Sequence, residues 1–318
     1  MNGDSCCTPS RDLGASVSAP VAPGNDLVRV NRGKLAGMRA IPGGEFLMGS
    51  ADADGWPADG EGPVRSVSVQ PFYLDATCVT NEQFNDFVNA TKYQTEAARF
   101  GWSFVFHLFL SRQQIARVTE RVTGSEWWCK IEGATWRHPE GEGSNIKKRW
   151  DHPVVHISWN DALAYCAWAG KRLPTEAEWE CAARGGLVQK KYAWGDELYP
   201  DGKHMCNIWQ GKFPMHDTAE DGYSGTAPAK SFPTNGYGLY NVAGNVWEWC
   251  ADWFSPRFHV NGPRAYPVGP PTGDRKVIRG GSYLCHSSYC NRYRVGARIG
   301  NTPDSSTGNT GFRCVRDV

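Results

Sequence analysis

Two cysteines in the last part of the chain have the type and spacing to bind a soft metal ion. Cys285 and Cys290 lie in GGSYLCHSSYCNRYR with four residues between them. Two thiolates in one turn suit Cu(I), whereas zinc prefers four ligands and usually a C-x2-C spacing, which no second cysteine pair provides. A local disulfide or two buried thiols are the open alternatives. Two glycines, with Arg292, Arg294 and Arg298, predict a tight, electropositive turn that favours thiolates.

A second candidate set consists of hard oxygen donors in glycine-containing loops. Asn207, Asp221, Asn241 and Glu248 lie in CNIWQG, HDTAEDGYSG and YNVAGNVWEW. Calcium collects about six to eight oxygen ligands, many of them loop carbonyls, so these loops are candidate calcium sites. None of them is an EF-hand loop, and Asx-turns that cap the loop backbone are the alternative.

The histidines in HPVVHISW resemble a metal pair only by their spacing. His152 and His156 would share an ion on a helix, but Pro153 and the β-branched residues beside it predict a strand. On a strand the two rings would be roughly 13 Å apart. Both are therefore predicted to be structural. The sequence contains no Gly-rich phosphate loop, G-x-S-x-G elbow or dinucleotide fingerprint.

Three helices are predicted from N-terminal caps and apolar periodicity. Thr80 and Gln83 form a capping box that opens TNEQFNDFVNAT. Ser158 caps a second helix, which Gly170 ends, and Thr175 caps a third in TEAEWECAARGG. Short strands are expected in MRAIPGGEFLMGS, VRSVSVQPFYLDAT, RKVIRGGSYL and GFRCVRD, and HPVVHISW adds the strand proposed above. No helix is expected after residue 186.

The composition predicts one α+β domain with little regular secondary structure. The 318 residues include 36 Gly and 20 Pro, yet 14 Trp argue against disorder. Residues 1–35 are expected to be a flexible tail and residues 36–318 the folded domain. A net charge of +1 gives no support for a nucleic-acid or membrane partner. Without an 18-residue apolar run or a Sec-type start, the chain is expected to be cytoplasmic. A monomer is expected as well, and the sequence leaves other oligomeric states open.

The chain resembles the formylglycine-generating enzymes, the sulfatase-modifying factor family, in its bacterial form. The resemblance runs from about residue 38 to residue 314 and is carried by IPGGEFLMGS, GWSFVF, HPVVHISWNDALAYCAWAGKRLPTEAEWECAARGG, NIWQG, NGYGLYNVAGNVWEW, GGSYLCHSSYCNRYR and NTPDSS…GFRC. It implies a fold related to C-type lectins. It also implies copper-dependent aerobic oxidation of the cysteine in a C-x-P-x-R motif to formylglycine, on unfolded or nascent sulfatases.

The resemblance also implies roles for single residues. Cys285 and Cys290 would bind Cu(I), the substrate cysteine would add as a third sulfur, and dioxygen would be the co-substrate. The catalytic pocket would further contain Ser282, Trp247, His286 and Tyr289, and the peptide groove Trp102, Ser103 and Asn309. One structural calcium ion would be held by Asn207, Ile208, Asp221 and Tyr223, and a second by Asn241, Gly244, Val246 and Glu248.

The substrate motif implied by the resemblance also occurs in this chain's own first residues, since residues 7–11 read CTPSR. We expect the tail to occupy the peptide groove, as an autoinhibitor or as a self-substrate at Cys7. Chance or the remnant of an expression tag is the alternative. The resemblance also places Cys166 and Cys314 where animal relatives have a disulfide, and the sequence leaves the redox state of this pair open.

Two functions from other classes compete with the copper oxidase. One is a calcium-stabilised, lectin-like binding module in which Cys285 and Cys290 form a disulfide. The other is an iron-dependent oxygenase of the wider superfamily that LPTEAEWE and GNVWEW mark. That function requires a three-ligand His/carboxylate site, which the sequence does not offer.

Overall fold

The computed structural model describes residues 8–11 and 32–318. In these ranges the strands are β1 (Met38–Ile41), β2 (Gly44–Met48), β3 (Arg65–Val69), β4 (Phe72–Asp75), β5 (Trp102–Phe106), β6 (Arg121–Val122), β7 (Ser125–Glu132), β8 (Gly211–Lys212), β9 (His216–Asp217), β10 (Trp247–Trp253), β11 (Lys276–Arg279), β12 (Arg298–Asn301), β13 (Thr310–Gly311) and β14 (Val315–Asp317). The α-helices are α1 (Asn81–Thr91), α2 (Glu96–Phe100), α3 (Arg112–Arg117), α4 (Trp159–Ala169), α5 (Glu176–Arg184) and α6 (Phe258–Asn261). The predicted mixed α and β architecture with long loops is confirmed.

The three longest helices are the three that were predicted from their caps. At the start of α1, the Thr80 side chain accepts from the Gln83 backbone while the Gln83 side chain accepts from Thr80. Ser158 and Thr175 cap α4 and α5 in the same way. Gly170 ends α4 in the left-handed region, at φ 67°. These helix boundaries follow from local hydrogen bonds, and for that reason the sequence reveals them.

Small sheets position the candidate site. A four-stranded sheet has the order β12-β11-β10-β13, and the parallel pairing of β10 with β13 sets Trp247 beside Thr310. A second sheet has the order β5-β7-β6. An isolated bridge between Phe104 of β5 and Thr307 connects that sheet to the loop before β13. Two stretches about 200 residues apart in sequence therefore lie side by side.

Three expectations about elements were wrong. HPVVHISW is not a strand, because Pro153 forms only an isolated bridge with Thr80 and His156 has a φ of 59°. VRSVSVQPFYLDAT forms two strands, β3 and β4, rather than one. The four-residue helix α6 follows residue 186, where none was expected. The boundary between tail and domain stays a prediction, since most of residues 1–35 lie outside the described residues.

The core contains large aromatic side chains and buried ion pairs. Trp247 and Trp249 of β10 belong to one apolar cluster with Cys285 and Cys290, and Trp179 of α5 belongs to a second. Several arginines are also fully buried, each beside a carboxylate. Within the described residues, no helix combines the length and the apolar character needed to cross a bilayer.

Candidate active site and peptide groove

The cysteine pair lies in a buried turn that follows β11. The backbone N–H of Cys285 donates to the Ser282 carbonyl at 2.9 Å, and that of Cys290 donates to the His286 carbonyl at 2.7 Å. The two sulfur atoms are 3.2 Å apart, both residues are 1 % exposed, and no disulfide joins them. Two soft donors therefore face each other away from water.

Gly281 permits this turn to fold back on the following chain. It has a φ of 73°, and a Cβ at this position would lie 3.0 Å from the Arg292 carbonyl oxygen and 3.0 Å from the Tyr293 nitrogen. Both contacts are tighter than nine in ten real Cβ contacts, and the backbone conformation favours glycine. The Gly-Gly-Ser sequence before the cysteines is thus explained by close backbone packing.

The prediction of an electropositive turn was wrong, because carboxylates from distant segments neutralise the arginines. Arg292 donates to Asp59, Arg294 to Glu61 and Arg298 to Glu176, each at 2.6 Å. Arg292 contacts the pair, with 3.7 Å between its Nη1 and the Cys290 sulfur. Its guanidinium also lies 4.2 Å from the Trp56 ring centroid.

Ser282 and Trp247, both predicted for the catalytic pocket, are fully buried and linked by one residue. The Asn309 side chain donates to Ser282 Oγ at 3.0 Å, and the Trp247 backbone N–H donates to the Asn309 carbonyl at 2.8 Å. The Trp247 indole N–H is buried and has no hydrogen-bond partner among the described residues. Asn309 therefore joins the cysteine turn to β10.

His286 and Tyr289 lie between the two cysteines on the same turn. His286 Nδ1 is 2.7 Å from Ser288 Oγ, and partial burial lowers the pKa of this histidine. The Tyr289 ring stacks on Phe213 with centroids 4.3 Å apart and meets the edge of Trp127 at 5.1 Å. These rings form an aromatic wall beside the thiol pair, which limits the access of water.

A groove runs between the start of β5 and the loop before β13. Ser103 Oγ donates to the Ser306 carbonyl at 2.9 Å, while His156 Nδ1 lies 2.8 Å from Ser103 Oγ. The backbone N–H of Gly308 donates to the Phe104 carbonyl at 3.1 Å. Ser103 and His156 are buried, so they support the groove from beneath rather than lining its surface.

Residues 8–11 of the chain itself, the TPSR segment, occupy this groove. Arg11 is 3 % exposed, and its guanidinium lies 4.4 Å from the Phe100 ring centroid and 3.9 Å from that of Trp102. Its Nη2 donates to the Trp102 carbonyl at 2.7 Å and to Ser306 Oγ at 2.9 Å. Burial lowers the pKa of Arg11 to about 10, with Asp304 as the leading opposing charge. The pocket binds a planar cation.

The rest of the TPSR segment is bound by three polar residues. The Pro9 carbonyl accepts from Ser305 Oγ at 2.7 Å and from Asn301 Nδ2 at 3.3 Å. Ser10 Oγ donates to Asn301 Oδ1 at 2.7 Å. Thr8 Oγ1 accepts from Asn301 Nδ2 at 2.9 Å and lies 3.4 Å from Thr307 Oγ1. Cys7, which precedes Thr8, lies outside the described residues.

A chain of hydrogen bonds connects the amino-terminal end of the TPSR segment to the cysteine turn. Thr8 contacts Thr307, whose Oγ1 donates to Asn309 Oδ1 at 2.7 Å. Asn309 then donates to Ser282, whose carbonyl accepts from Cys285. Arg11 is held at the opposite end of the segment, so the segment has a fixed direction with its first residue toward the thiol pair.

The first predicted calcium set has donors that fit a hard cation. Asn207 Oδ1 is buried and has no hydrogen-bond partner in the described part of the chain. Asp221 accepts from the backbone N–H groups of Ile208 at 3.0 Å and of Tyr223 at 2.9 Å, which draws these predicted ligands together. An orphaned amide oxygen in a loop with a carboxylate is the chemistry that calcium uses.

The second predicted set fits less completely. Asn241 Oδ1 is likewise buried and unpartnered within residues 8–11 and 32–318, and Gly244 pairs with Asn207 of the first set. Glu248, however, accepts from Arg313 Nη2 at 2.6 Å with one oxygen, and from Arg313 Nε and Trp179 Nε1 at 2.7 Å with the other. Its carboxylate is the counterion of a buried arginine.

Across the described residues, no three His, Cys, Asp or Glu side chains are grouped to hold a metal ion. A copper site there would depend on the cysteine pair, and a calcium site on the Asp221 carboxylate together with amide and carbonyl oxygens. Cys166 and Cys314 have sulfurs 3.5 Å apart and are not joined in a disulfide. Cys181, Cys206 and Cys250 are buried.

Five groove residues were not identified individually from the sequence: Phe100, Asn301, Ser305, Ser306 and Thr307. Four of them belong to NTPDSST, most of which was recognised as a motif without a role. A polar run with no helical or strand periodicity was the available signal. Phe100 ends a five-residue helix, α2, that gave no periodicity to detect.

The fold and the site together define a loop-rich mixed α/β domain with a buried dithiol turn at one end of a peptide groove. The chain belongs to the sulfatase-modifying factor family: residues 25–318 match the Sulfatase-modifying factor enzyme 1-like domain. It is 61 % identical to the formylglycine-generating enzyme of Thermomonospora curvata over 284 residues, covering 88 % of this chain and 93 % of that protein. The Streptomyces coelicolor formylglycine-generating enzyme is 60 % identical over 282 residues, covering 89 % and 90 %.

A solved structure shares the fold at lower identity. PvdO from Pseudomonas aeruginosa superposes with a TM-score of 0.64 at 24 % identity, covering 88 % of this chain and 94 % of that one. This likeness concerns the fold alone. The membership expected from the sequence motifs is confirmed by the family match and by the two formylglycine-generating enzymes.

Proposed function

We propose that this chain converts the cysteine of a C-x-P-x-R motif in sulfatases to formylglycine, using Cu(I) held by Cys285 and Cys290. The observation that carries the proposal is the continuous path from the groove to the thiol pair through Thr307, Asn309 and Ser282. Sequence identity of 61 and 60 % to two proteins named formylglycine-generating enzymes supports the same reaction here.

The TPSR segment stands in for a substrate peptide. The Arg11 side chain represents the motif's arginine, and the Pro9 carbonyl represents the backbone of the motif's proline. In a substrate the reacting cysteine precedes the residue at the Thr8 position, one step of about 3.8 Å along the chain. The arginine pocket and the contacts to Pro9 would thus fix the distance from anchor to thiol pair, which is the contribution of positioning to catalysis.

The reaction balances with dioxygen and an external thiol as co-reactants. The substrate Cβ loses one of its two hydrogens and its bond to sulfur, the thiol loses its proton, the sulfur leaves as hydrogen sulfide, and water supplies the aldehyde oxygen. This oxidation delivers two electrons, and two equivalents of the external thiol deliver two more as they form a disulfide, which completes the four-electron reduction of dioxygen to water. The two facing sulfurs fit Cu(I), which when bound would transfer electrons to dioxygen.

Other residues of the chain would position the cysteine turn, exclude water and bind calcium. Asn309 and Ser282 would orient the cysteine turn relative to the peptide. The wall of Tyr289, Phe213 and Trp127 would exclude water from a reactive intermediate. Asn207 and Asp221, with Asn241, would hold structural calcium that fixes the loops around Trp209, whose backbone N–H donates to the Cys285 carbonyl at 3.1 Å.

Mass spectrometry of a CTPSR-containing peptide tests the proposal. The protein is loaded with Cu(I) and incubated in air with an external thiol. We expect the peptide to lose sulfur and gain oxygen, and Cys285→Ser and Cys290→Ser to abolish both this change and high-affinity Cu(I) binding in a chelator competition. Cys181→Ser is the matched control, because Cys181 is a buried thiol of the second apolar cluster. Equal turnover by all four proteins would refute the assignment.

A further inference from the structure

The groove is filled by a segment of the same chain, and its contacts are those of a bound ligand. Thr8 and Arg11 are 1 % and 3 % exposed. Burial of a guanidinium is costly unless its donors are satisfied and its faces are covered. Two aromatic rings cover the Arg11 guanidinium and two acceptors bind its Nη2, whereas its Nε and Nη1 are buried without a hydrogen-bond partner among the described residues. An incidental surface contact would not desolvate a charged side chain in this way.

We propose that residues 8–11 are an intramolecular competitor, which C-x-P-x-R substrates must displace before they reach the thiol pair. The inference rests on the proposed function, because it takes this groove to be the substrate site. The Arg11 pocket, the donors to the Pro9 carbonyl and the Thr8 contacts each accept one ligand group. A substrate with the same motif needs all three, so the two cannot bind together.

The connection to the domain raises the local concentration of the segment. Residues 12–31 join Arg11 to Arg32, and a connection of this length reaches at most about 70 Å when fully extended. Linked groups that can span their sites experience effective concentrations in the millimolar range. A peptide with an intrinsic Kd near 0.1 mM would then bind roughly tenfold more weakly to the complete chain than to an open groove.

Peptide binding to copper-free protein tests the competitor separately from catalysis. The probe is a fluorescein-labelled peptide with serine in place of the motif's cysteine, followed by anisotropy. The proteins are the full-length chain, its Arg11→Ala variant, and Arg32→Ala as the matched control. Arg32 is exposed and lies outside the groove. We expect Arg11→Ala to bind the probe about tenfold more tightly than the unmodified chain, and Arg32→Ala to bind it unchanged.

The expected result is a gain in affinity, which misfolding of the variant would not produce. A probe that binds all three proteins with the same Kd would overturn the competitor and leave the proposed function standing. A probe that binds none of them, while the same copper-loaded proteins turn over a full-length sulfatase, would overturn the assignment of the groove and the competitor with it.

Discussion

Replacing Trp102 by leucine should weaken binding of arginine-containing peptides, by an amount that depends on the chain's own tail. The substitution removes the ring that lies 3.9 Å from the Arg11 guanidinium and keeps the backbone carbonyl that accepts from it. A desolvated cation–π contact contributes about 1–2 kcal/mol. That is roughly 5- to 30-fold in Kd, since about 1.4 kcal/mol corresponds to a factor of ten.

In the unmodified chain the same substitution weakens both the peptide and its intramolecular competitor. If the tail raises the apparent Kd about tenfold, a tenfold loss of intrinsic affinity for both ligands should change the apparent Kd only about twofold. In an Arg11→Ala background the competitor is already weak, and the whole loss should appear. We therefore predict that Trp102→Leu changes the apparent Kd strongly in the Arg11→Ala background and weakly in the unmodified chain.

Anisotropy titrations of the serine-containing probe, in one buffer and at one ionic strength, measure all four Kd values. Trp168→Leu is the control for loss of a tryptophan, because Trp168 lies on α4 and is 44 % exposed. Equal losses of probe affinity in both backgrounds would contradict a binding site shared by the probe and residues 8–11. No loss in either would show that the Trp102 ring adds nothing beyond its carbonyl.

Three further predictions concern stability. Burial lowers the pKa of His156 to about 3, against 6.5 in the unfolded chain, so the free energy of unfolding should fall by up to about 1.4 kcal/mol per pH unit as the pH drops from 6.5 toward 3. Urea titrations at several pH values should show that this free energy depends less steeply on pH in His156→Gln. An equal dependence in the two proteins would contradict the prediction. Chelation of calcium should lower the Tm, and added Ca²⁺ should restore it. Asn207→Ala or Asn241→Ala should remove this response of the Tm to Ca²⁺. A variant that responds like the parent protein would exclude the substituted residue as a calcium ligand. Glu248→Gln should lower the free energy of unfolding by about 3–5 kcal/mol with or without calcium, because it leaves Arg313 buried without its counterion. A loss of stability that disappears in chelator would instead make Glu248 a calcium ligand.

The sequence predicts best what local interactions decide. The caps of α1, α4 and α5 lie within three residues of their partners, and all three helices begin at the expected positions. HPVVHISW was mistaken for a strand because β-branched residues favour extended backbone wherever packing allows it. In this fold, the segment's hydrogen bonds go to separate partners, the N–H of Val154 to Val79 and that of His156 to Thr307, so no continuous ladder forms.

The electrostatics of the cysteine turn show why a site is harder to predict than a helix. Arg292, Arg294 and Arg298 were visible beside the pair, but their counterions come from residues 59–61 and from α5, at least 100 residues away in sequence. Only the fold reveals that the positive charge is compensated and that one guanidinium remains near a sulfur. The net charge near a reactive group is set by the tertiary structure and cannot be inferred from a cluster of arginines nearby in sequence.

The groove shows the same limit of sequence-based prediction, because the bound segment is visible in the sequence and most of its binding site is not. Its walls are β5 and the loop before β13, and only the family resemblance indicated a peptide site there, through Trp102, Ser103 and Asn309. The bound segment, by contrast, is four consecutive residues, 8–11, of a motif that the sequence displays openly as CTPSR. The chain therefore contains both a C-x-P-x-R motif and a groove that holds residues 8–11 of it. Its anchor at Arg11 and its link through Asn309 required the structure, since they join residues about 90 and 300 positions apart.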